Sequence, residues 1–260
     1  MSDGIITTDI LRRDERGAVA AVTVDRTAKL NVVNGAMCRD LAVAFDGLAS
    51  DEDLRVVVLR GAGDRALIGG ADVAEMAACD PAAARAFITD LHLTCDAVRR
   101  FPVPVIARMR GYCLGGGLEI AAACDFRIAA SDACMGMPEV QVGVPSVIEA
   151  ALLPELIGWG RTRRLVFTGE LIDAAKALAW GLVEEVVEPD ALDQAMDDAC
   201  DAIVAAGPAA IRAQKALVAK WRELPLDAAI EAGIDMFEAA FETGEPQRYM
   251  RRFLDRARDG

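Results

Sequence analysis

Short runs rich in β-branched residues alternate with longer helical patterns through the first 187 residues, and this alternation limits the chain to an α/β fold. The strand-like runs are residues 19–24, 55–60, 103–107 and 125–130. Helical patterns cover residues 35–48 and 81–100, and alanine-rich helical segments follow at 190–206, 208–221, 225–242 and 246–258. We therefore predict an α/β core over residues 1–195 and a helical region over residues 196–260.

The chain is long and apolar enough to bury a substantial core, with 260 residues of which 53% are hydrophobic. No apolar stretch reaches the roughly 20 residues that a membrane-spanning helix needs. The charged first 16 residues lack the apolar centre of a secretory signal. The odd number of cysteines, seven without a C-x-x-C pair, fits neither a disulfide framework nor a zinc site. We expect a cytoplasmic protein without a membrane partner.

The charge balance and the histidine content exclude several classes of function. A net charge of −13 argues against the clustered basic surface that nucleic acids require, although it leaves room for a small anionic ligand. His92 is the only histidine, so neither a Ser-His-Asp triad nor a multi-histidine metal site is expected. We expect no metal and no nucleic-acid partner.

Residues 111–119 read GYCLGGGLE and place three glycines and a carboxylate in an otherwise apolar segment. Adjacent glycines leave the backbone open to a ligand oxygen, and a helix that starts there adds its positive dipole end. Glu119 falls one turn inside that helix, among apolar neighbours that resist its ionisation. The pattern predicts an anion-binding turn beside a general acid or base. Taken alone, the triplet also fits close helix packing, and Glu119 a solvated helix residue.

Two further segments carry matching features. Gly69 and Gly70 form a second glycine turn before a helical pattern, and residues 137–139 (MPE) place Glu139 among apolar neighbours. If the N–H groups of Ala71 and Gly116 converge, they form a two-donor hole for an oxygen that gains negative charge during a reaction. Two glycine turns and two embedded carboxylates thus form a constellation that a structure can test.

In this order and spacing the motifs resemble the crotonase superfamily, the enoyl-CoA hydratase/isomerase family, from about residue 18 to the C-terminus. Residues 66–73 (ALIGGADV) resemble its first oxyanion turn, residues 111–119 its second, and residues 137–139 its second acid segment. Residues 165–170 (LVFTGE) and 179–183 (AWGLV) extend the match. The resemblance implies a crotonase-like spiral of β-β-α units whose helical C-terminal region forms homotrimers or dimers of trimers.

The resemblance also implies an acyl-CoA thioester as substrate, so that coenzyme A is part of the substrate and no separate cofactor is expected. Hydration of a 2-enoyl-CoA to a 3-hydroxyacyl-CoA is the leading expectation. Glu119 would orient the attacking water, protonated Glu139 would deliver a proton to Cα, and the N–H groups of Ala71 and Gly116 would bind the thioester enolate. Two carboxyl groups suit this reaction because one deprotonates water at Cβ while the other protonates Cα.

The coenzyme-binding residues follow from the same resemblance. Residues 28–34 (AKLNVVN) resemble the segment that wraps the adenine end of coenzyme A, and Phe253 and Arg256 resemble C-terminal positions that reach a neighbouring subunit's coenzyme. The implied contacts are those of Lys29, Asn31, Val32, Gly69, Ala71, Asp72, Val73, Gly115, Gly116, Phe253 and Arg256. Ala74 stands where many relatives have a lysine, so Lys29 or Arg65 is a candidate for that phosphate contact.

Residues 141–150 (QVGVPSVIEA) depart from the glycine-rich turn common in short-chain hydratases. They bring a third carboxylate, Glu149, towards the site, where it would repel the other two if unpaired. The segment resembles hydratases that act on methylthioacryloyl-CoA. Three alternatives therefore remain open: an enoyl-CoA isomerase, a hydratase or hydrolase of a substituted acyl-CoA such as methylthioacryloyl-CoA, and a non-catalytic acyl-CoA-binding relative.

Overall fold

The computed structural model describes residues 4–259, except for the side chains of Arg13 and of residues 256–259. Within these residues the backbone forms ten strands in two sheets. The strands are β1 Ile5–Asp14, β2 Gly17–Asp25, β3 Leu54–Gly61, β4 Ala66–Ile68, β5 Val105–Met109, β6 Tyr112–Leu114, β7 Phe126–Ala130, β8 Cys134–Gly136, β9 Leu171–Asp173 and β10 Glu185–Val187.

The larger sheet has six strands in the order β1-β2-β3-β5-β7-β10. β1 pairs antiparallel with β2, and every other neighbouring pair in this sheet is parallel. β3 is almost entirely buried, because a parallel strand with both faces covered needs a continuous apolar run. The sheet contains all four strands predicted from the sequence, in β2, β3, β5 and β7.

The smaller sheet is built from three-residue strands in the order β4-β6-β8-β9, with β4, β6 and β8 parallel and β9 antiparallel. A predicted site residue directly follows each of the parallel strands: Gly69 after β4, Gly115 after β6 and Met137 after β8. Because the carboxyl ends of neighbouring parallel strands lie at one edge of a sheet, this pairing brings the three segments together.

The described part of the chain also contains eleven α-helices. They are α1 Gly35–Ala49, α2 Val73–Ala77, α3 Pro81–Arg99, α4 Gly116–Ala123, α5 Leu153–Ile157, α6 Trp159–Thr168, α7 Ala174–Trp180, α8 Leu192–Ala205, α9 Pro208–Glu223, α10 Leu226–Glu242 and α11 Glu245–Asp259. Several begin at side-chain caps: Asn34 accepts from an N–H of α1, and Asp80 accepts from an N–H of α3 just before Pro81.

Two apolar clusters hold these elements together. The larger joins one face of the six-stranded sheet to α1, α3, α4 and the smaller sheet. The smaller cluster lies under α8, where Leu192, Met196 and Cys200 pack with Val56 and Val58 of β3. The boundary expected near residue 195 therefore falls inside a helix that packs on the sheet, and the helices beyond it begin at Pro208.

The last three helices are less deeply packed. Lys215 of α9 pairs with Asp125 at 2.6 Å, which ties this helix to the six-stranded sheet. α10 and α11 expose large apolar side chains, among them Leu226, Ile234 and Phe253. None of the helices in residues 4–259 is, on its own, long and apolar enough to cross a membrane, although the bent pair Pro189–Ala205 and Pro208–Glu223 has that length and composition.

Candidate active site

The two glycine turns and the two predicted carboxylates line a single cavity of about 350 Å³. Ala71, Gly116, Glu119 and Glu139 all contribute to its wall. The rest of the wall is largely apolar and comes from α2, α3 and the segment after Glu139: Val73, Met76, Ala84, Phe87, Ile88, Leu91, Val142, Val144, Pro145 and Val147. The structure thus brings together the residues that the sequence assigned to one site.

The first glycine turn points the N–H group of Ala71 away from its neighbouring backbone. The Val33 N–H donates to the carbonyl of Gly70 at 2.9 Å, and the Asp72 N–H donates to the carbonyl of Val33 at 2.8 Å. The Gly70 carbonyl and the Ala71 N–H belong to one planar peptide group and point in opposite directions. The Ala71 N–H therefore faces the side opposite Val33, where a ligand oxygen can accept from it.

The second glycine turn supplies the other donor. Gly115 has φ +52° and ψ −125°, a conformation that strongly favours glycine. A Cβ at this position would also lie 2.5 Å from Oε1 of Glu139. Gly116 is the first residue of α4, so its N–H is one of the donors at a helix start that has no partner inside the helix. The positive end of the helix dipole reinforces this donor.

Glu119 lies in the first turns of α4 with only 3% of its surface exposed. Its Oε1 accepts a hydrogen bond from the Ala150 N–H at 3.0 Å. Burial raises the pKa of this carboxyl to about 8, against the opposing effect of the Ala150 N–H, and the nearby charges of Glu139 and Glu149 raise it further. Near neutral pH the free protein therefore keeps a proton on Glu119, whereas the sequence-based roles placed the proton on Glu139.

Glu139 is the more exposed of the two carboxyl groups and lies in a 3₁₀ turn over Pro138–Val142. The hydroxyl of Ser146 donates to its Oε2 at 2.8 Å. Ser146 also lines the cavity. This residue was not predicted from the sequence, and its only signal was its place in the segment 141–150, which departs from the glycine-rich turn common in short-chain hydratases.

Asp72 fixes the start of α2 next to the first oxyanion donor. Its Oδ1 accepts from the N–H groups of Ala74 and Glu75, and its Oδ2 pairs with Arg26 at 2.7 Å. Burial alone would raise the pKa of Asp72, but these partners together hold it below its ordinary value. Asp72 thus supports the turn that carries Ala71, and its carboxylate is already engaged within the chain.

The segment expected to wrap coenzyme A packs beside the first glycine turn. The Gly69 N–H donates to the carbonyl of Leu30 at 2.8 Å. The buried side chain of Asn31 accepts from the Arg26 N–H and donates to the carbonyls of Ala62 and Ala66. Because this side chain is used to join loops, the expected ligand contact of Asn31 is restricted to its backbone.

Of the remaining predicted coenzyme contacts whose side chains the structure describes, Gly69, Val73 and Gly115 line the cavity, and the others do not. Lys29 and Val32 belong to the loop beside Gly69, and neither lines the cavity. Phe253 projects from α11 with 73% of its surface exposed. The side chain of Arg256 lies outside the described residues. The roles of these residues stay predictions.

A second group of polar residues lies beside the site, and the contacts within it were not predicted from the sequence. Glu149 is 3% exposed and contacts His92 and Arg99, both on α3. Glu149, which was expected to repel the other two carboxylates if it had no partner, is therefore paired, although its charge still acts on Glu119. His92 and Glu149 are 57 residues apart, and only the packing of α3 against the turn over Ile148–Leu152 brings them together.

Together these groups can polarise a carbonyl oxygen with two N–H donors and move protons with two carboxyl groups inside an apolar cavity. With its two sheets, the molecule is an α/β protein of the crotonase fold. The chain belongs to the enoyl-CoA hydratase/isomerase family, whose model matches residues 14–259. Proteins of this family act on coenzyme A thioesters, so the chain is an enzyme of that kind.

Similar proteins agree with this assignment. The chain is 32% identical over 244 residues to a short-chain-enoyl-CoA hydratase of Clostridium acetobutylicum, covering 94% of each protein. It is also 32% identical over 248 residues to a crotonyl-CoA hydratase of Syntrophomonas wolfei, covering 95% of each. The crystal structure of an enoyl-CoA hydratase from Bacillus anthracis matches with a TM-score of 0.91 and 30% identity over 96% of both chains. The fold and the family predicted from the sequence are confirmed.

Proposed function

We propose that this protein is a hydro-lyase that adds water across the 2,3 double bond of a 2-enoyl-CoA to give a 3-hydroxyacyl-CoA. The observation that carries the proposal is that Glu119 and Glu139 line the same cavity as the Ala71 and Gly116 turns. An isomerase can work with one carboxyl group, and a binding protein needs neither. Hydration uses both, because one carboxyl group removes a proton from the water that attacks Cβ and the other gives a proton to Cα.

In the proposed reaction the thioester oxygen accepts hydrogen bonds from the N–H groups of Ala71 and Gly116. These bonds stabilise the enolate as it forms. The water oxygen bonds to Cβ while Glu119 takes one of its protons, and Glu139 gives a proton to Cα. Because the pKa of Glu119 is raised to about 8, the pair of Glu119 and Glu139 holds a proton near neutral pH. The cycle starts once that proton has passed to Glu139, which then gives it to Cα, while Glu119 is protonated again by the attacking water.

The lining of the cavity supports an uncharged acyl group. Among the described residues that line it, the ionisable side chains are Glu119, Glu139 and Cys79, and none is a lysine, arginine or histidine. A free carboxylate on the acyl group would enter a cavity that offers no cation and two acidic residues. It would lose a large part of its hydration energy there. We therefore propose uncharged 2-enoyl groups as substrates.

The test follows the loss of the conjugated enoyl-thioester absorbance with crotonyl-CoA, longer enoyl-CoAs and one dicarboxylic enoyl-CoA. We expect hydration of the uncharged esters, and a fall of roughly 10²-fold or more in Glu119→Gln and Glu139→Gln with ester binding retained. Exposed Glu52→Gln is the matched control and should keep wild-type rates. Near-normal rates in either active-site variant, or binding without turnover in the wild type, would contradict hydration and favour isomerisation, thioester hydrolysis or non-catalytic binding.

Assembly into trimers or pairs of trimers and a cytoplasmic location are part of the same proposal. Both come from the sequence: the first from the family resemblance, and the second from the seven cysteines without a C-x-x-C pair, which suit a reducing compartment. The exposed apolar side chains on α10 and α11 support assembly.

A further inference from the structure

Three charged or polar residues form a cluster directly behind the site. Both oxygens of Glu149 face the Nδ1 atom of His92, at 3.0 and 3.2 Å, and Oε1 lies 3.5 Å from Nη1 of Arg99. His92 and Arg99 are seven residues apart on α3 and therefore share one face of that helix. Glu149 is buried, whereas the side chains of His92 and Arg99 are 45% and 30% exposed.

The cluster is one peptide group away from Glu119. The peptide that follows Glu149 carries the Ala150 N–H, and this N–H donates to Oε1 of Glu119 at 3.0 Å. The Cα atom of Glu149 and the N–H donor to Glu119 therefore belong to one planar peptide unit. The contacts of the Glu149 side chain with α3 limit how far this unit can shift.

The backbone beside this unit is strained. Ile148 has φ +36°, in a region that a β-branched residue rarely adopts. Such a conformation persists where surrounding contacts hold it. The attachment of Glu149 to α3 is such a contact, because it fixes the chain immediately after Ile148.

Groups of both charge signs surround the cluster. Glu149 faces Glu119 of α4, and its negative charge raises the pKa of that carboxyl. On α3, His92 and Arg99 face Glu149, Asp96 lies 4.0 Å from Arg99, and the buried thiol of Cys95 has a raised pKa and stays neutral. Glu139 acts on Glu119 from the other side of the cavity.

We propose that His92, Glu149 and Arg99 are positioning residues that hold the Glu149–Ala150 peptide against Glu119 and set where that carboxyl titrates. The inference deepens the proposed function and rests on it for the assignment of Glu119 as an acid/base group. It assigns a role to Glu149, which lies in the segment 141–150 that departs from the glycine-rich turn common in short-chain hydratases.

The test compares four variants. His92→Leu removes the donor to Glu149, His92→Asn keeps an amide N–H near the place of Nδ1, and Glu149→Gln removes the charge. Arg100→Gln, at the exposed end of the same helix, is the control. We expect His92→Leu and Glu149→Gln to lower kcat about tenfold or more with KM changed less than about threefold, because the donor to Glu119 is displaced. His92→Asn should recover most of the loss, and Arg100→Gln should match the wild type.

The titration of Glu119 is followed without turnover, from the infrared band of a protonated carboxyl that Glu119→Gln removes. We expect its midpoint to rise in both His92→Leu and Glu149→Gln, by about half a pH unit or more, because the displaced Ala150 N–H lowers the pKa of Glu119 more than the charge of Glu149 raises it. Midpoints that stay at the wild-type value or fall in either variant would overturn the proposal. An inactive wild type would contradict the proposed function alone, since the infrared shifts test the cluster independently.

Discussion

At the scale of the residue, Glu119 is a carboxyl group that the fold buries against backbone donors, with a pKa raised to about 8 from an ordinary value of 4.5. The folded protein therefore binds this proton more tightly than the unfolded chain. The stability that results is fully present below about pH 4.5 and is lost as the pH rises towards 8. The slope is at most about 1.4 kcal/mol per pH unit.

Glu119→Gln removes this dependence, so we predict that it stabilises the protein at pH 8 relative to the wild type, by an amount that shrinks steadily towards pH 5. Denaturant unfolding of both proteins at several pH values measures the difference. The exposed variant Glu52→Gln should show no such trend. A difference between Glu119→Gln and the wild type that stays constant from pH 5 to pH 8 would show that burial does not control this proton.

The sequence predicted which residues share the cavity better than it predicted the contacts of their side chains. Glu119 and the glycine triplet are neighbours in the chain, and the apolar residues after Glu119 already indicated its burial. The contacts of Ser146 with Glu139 and of His92 with Glu149 depend on how a turn folds back over the cavity. Such contacts arise from tertiary packing, which leaves no periodic pattern in the sequence.

At the scale of the element, α4 is placed by its contact with β4. A Cβ added to Gly117 would overlap the carbonyl oxygen of Ile68 and lie 2.9 Å from two of its side-chain carbons. That overlap can be relieved only by moving α4 away from β4. Such a movement would displace the Gly116 N–H and Glu119 together.

We predict that Gly117→Ala lowers both stability and kcat, even though alanine favours a helix by about 1 kcal/mol over glycine. Gly160→Ala in α6 is the control, because a Cβ there meets nothing within 4 Å. Thermal unfolding should show a loss of several degrees for Gly117→Ala and no loss for Gly160→Ala. Equal melting temperatures, with wild-type activity in both, would mean that α4 can shift without cost.

The two sheets differ in how far the sequence predicted them. β2, β3, β5 and β7 are long, apolar runs and were recognised, whereas the four strands of the smaller sheet have three residues each and were not. A strand of three residues is too short to show alternation. Yet this sheet gathers the three site segments at one edge, so the convergence of the site followed from the family resemblance and not from strand patterns.

At the scale of the whole molecule, the helical C-terminal region leaves apolar surface uncovered. Leu226, Ile230, Ile234 and Phe237 lie three or four residues apart along one side of α10 and are 54 to 75% exposed. A soluble monomer rarely exposes a continuous apolar stripe, and such stripes mark interfaces. The proposed association with further copies of this chain, which the family resemblance implies, would cover the stripe.

We predict that the wild type sediments as an oligomer and that Ile234→Glu shifts it towards single chains, because a carboxylate at the centre of the stripe would be buried without a partner. Glu238→Gln on the same helix changes an exposed polar residue and should leave the assembly intact. Sedimentation equilibrium over a range of concentrations measures both. A wild type that remains a single chain at micromolar concentration would contradict the prediction, and the stripe would then need a different partner.

If Ile234→Glu dissociates but keeps its far-ultraviolet circular dichroism, its hydration rate shows whether the site needs a neighbouring subunit. A rise in KM with unchanged kcat is the result expected if Phe253 of one chain contacts coenzyme A in another.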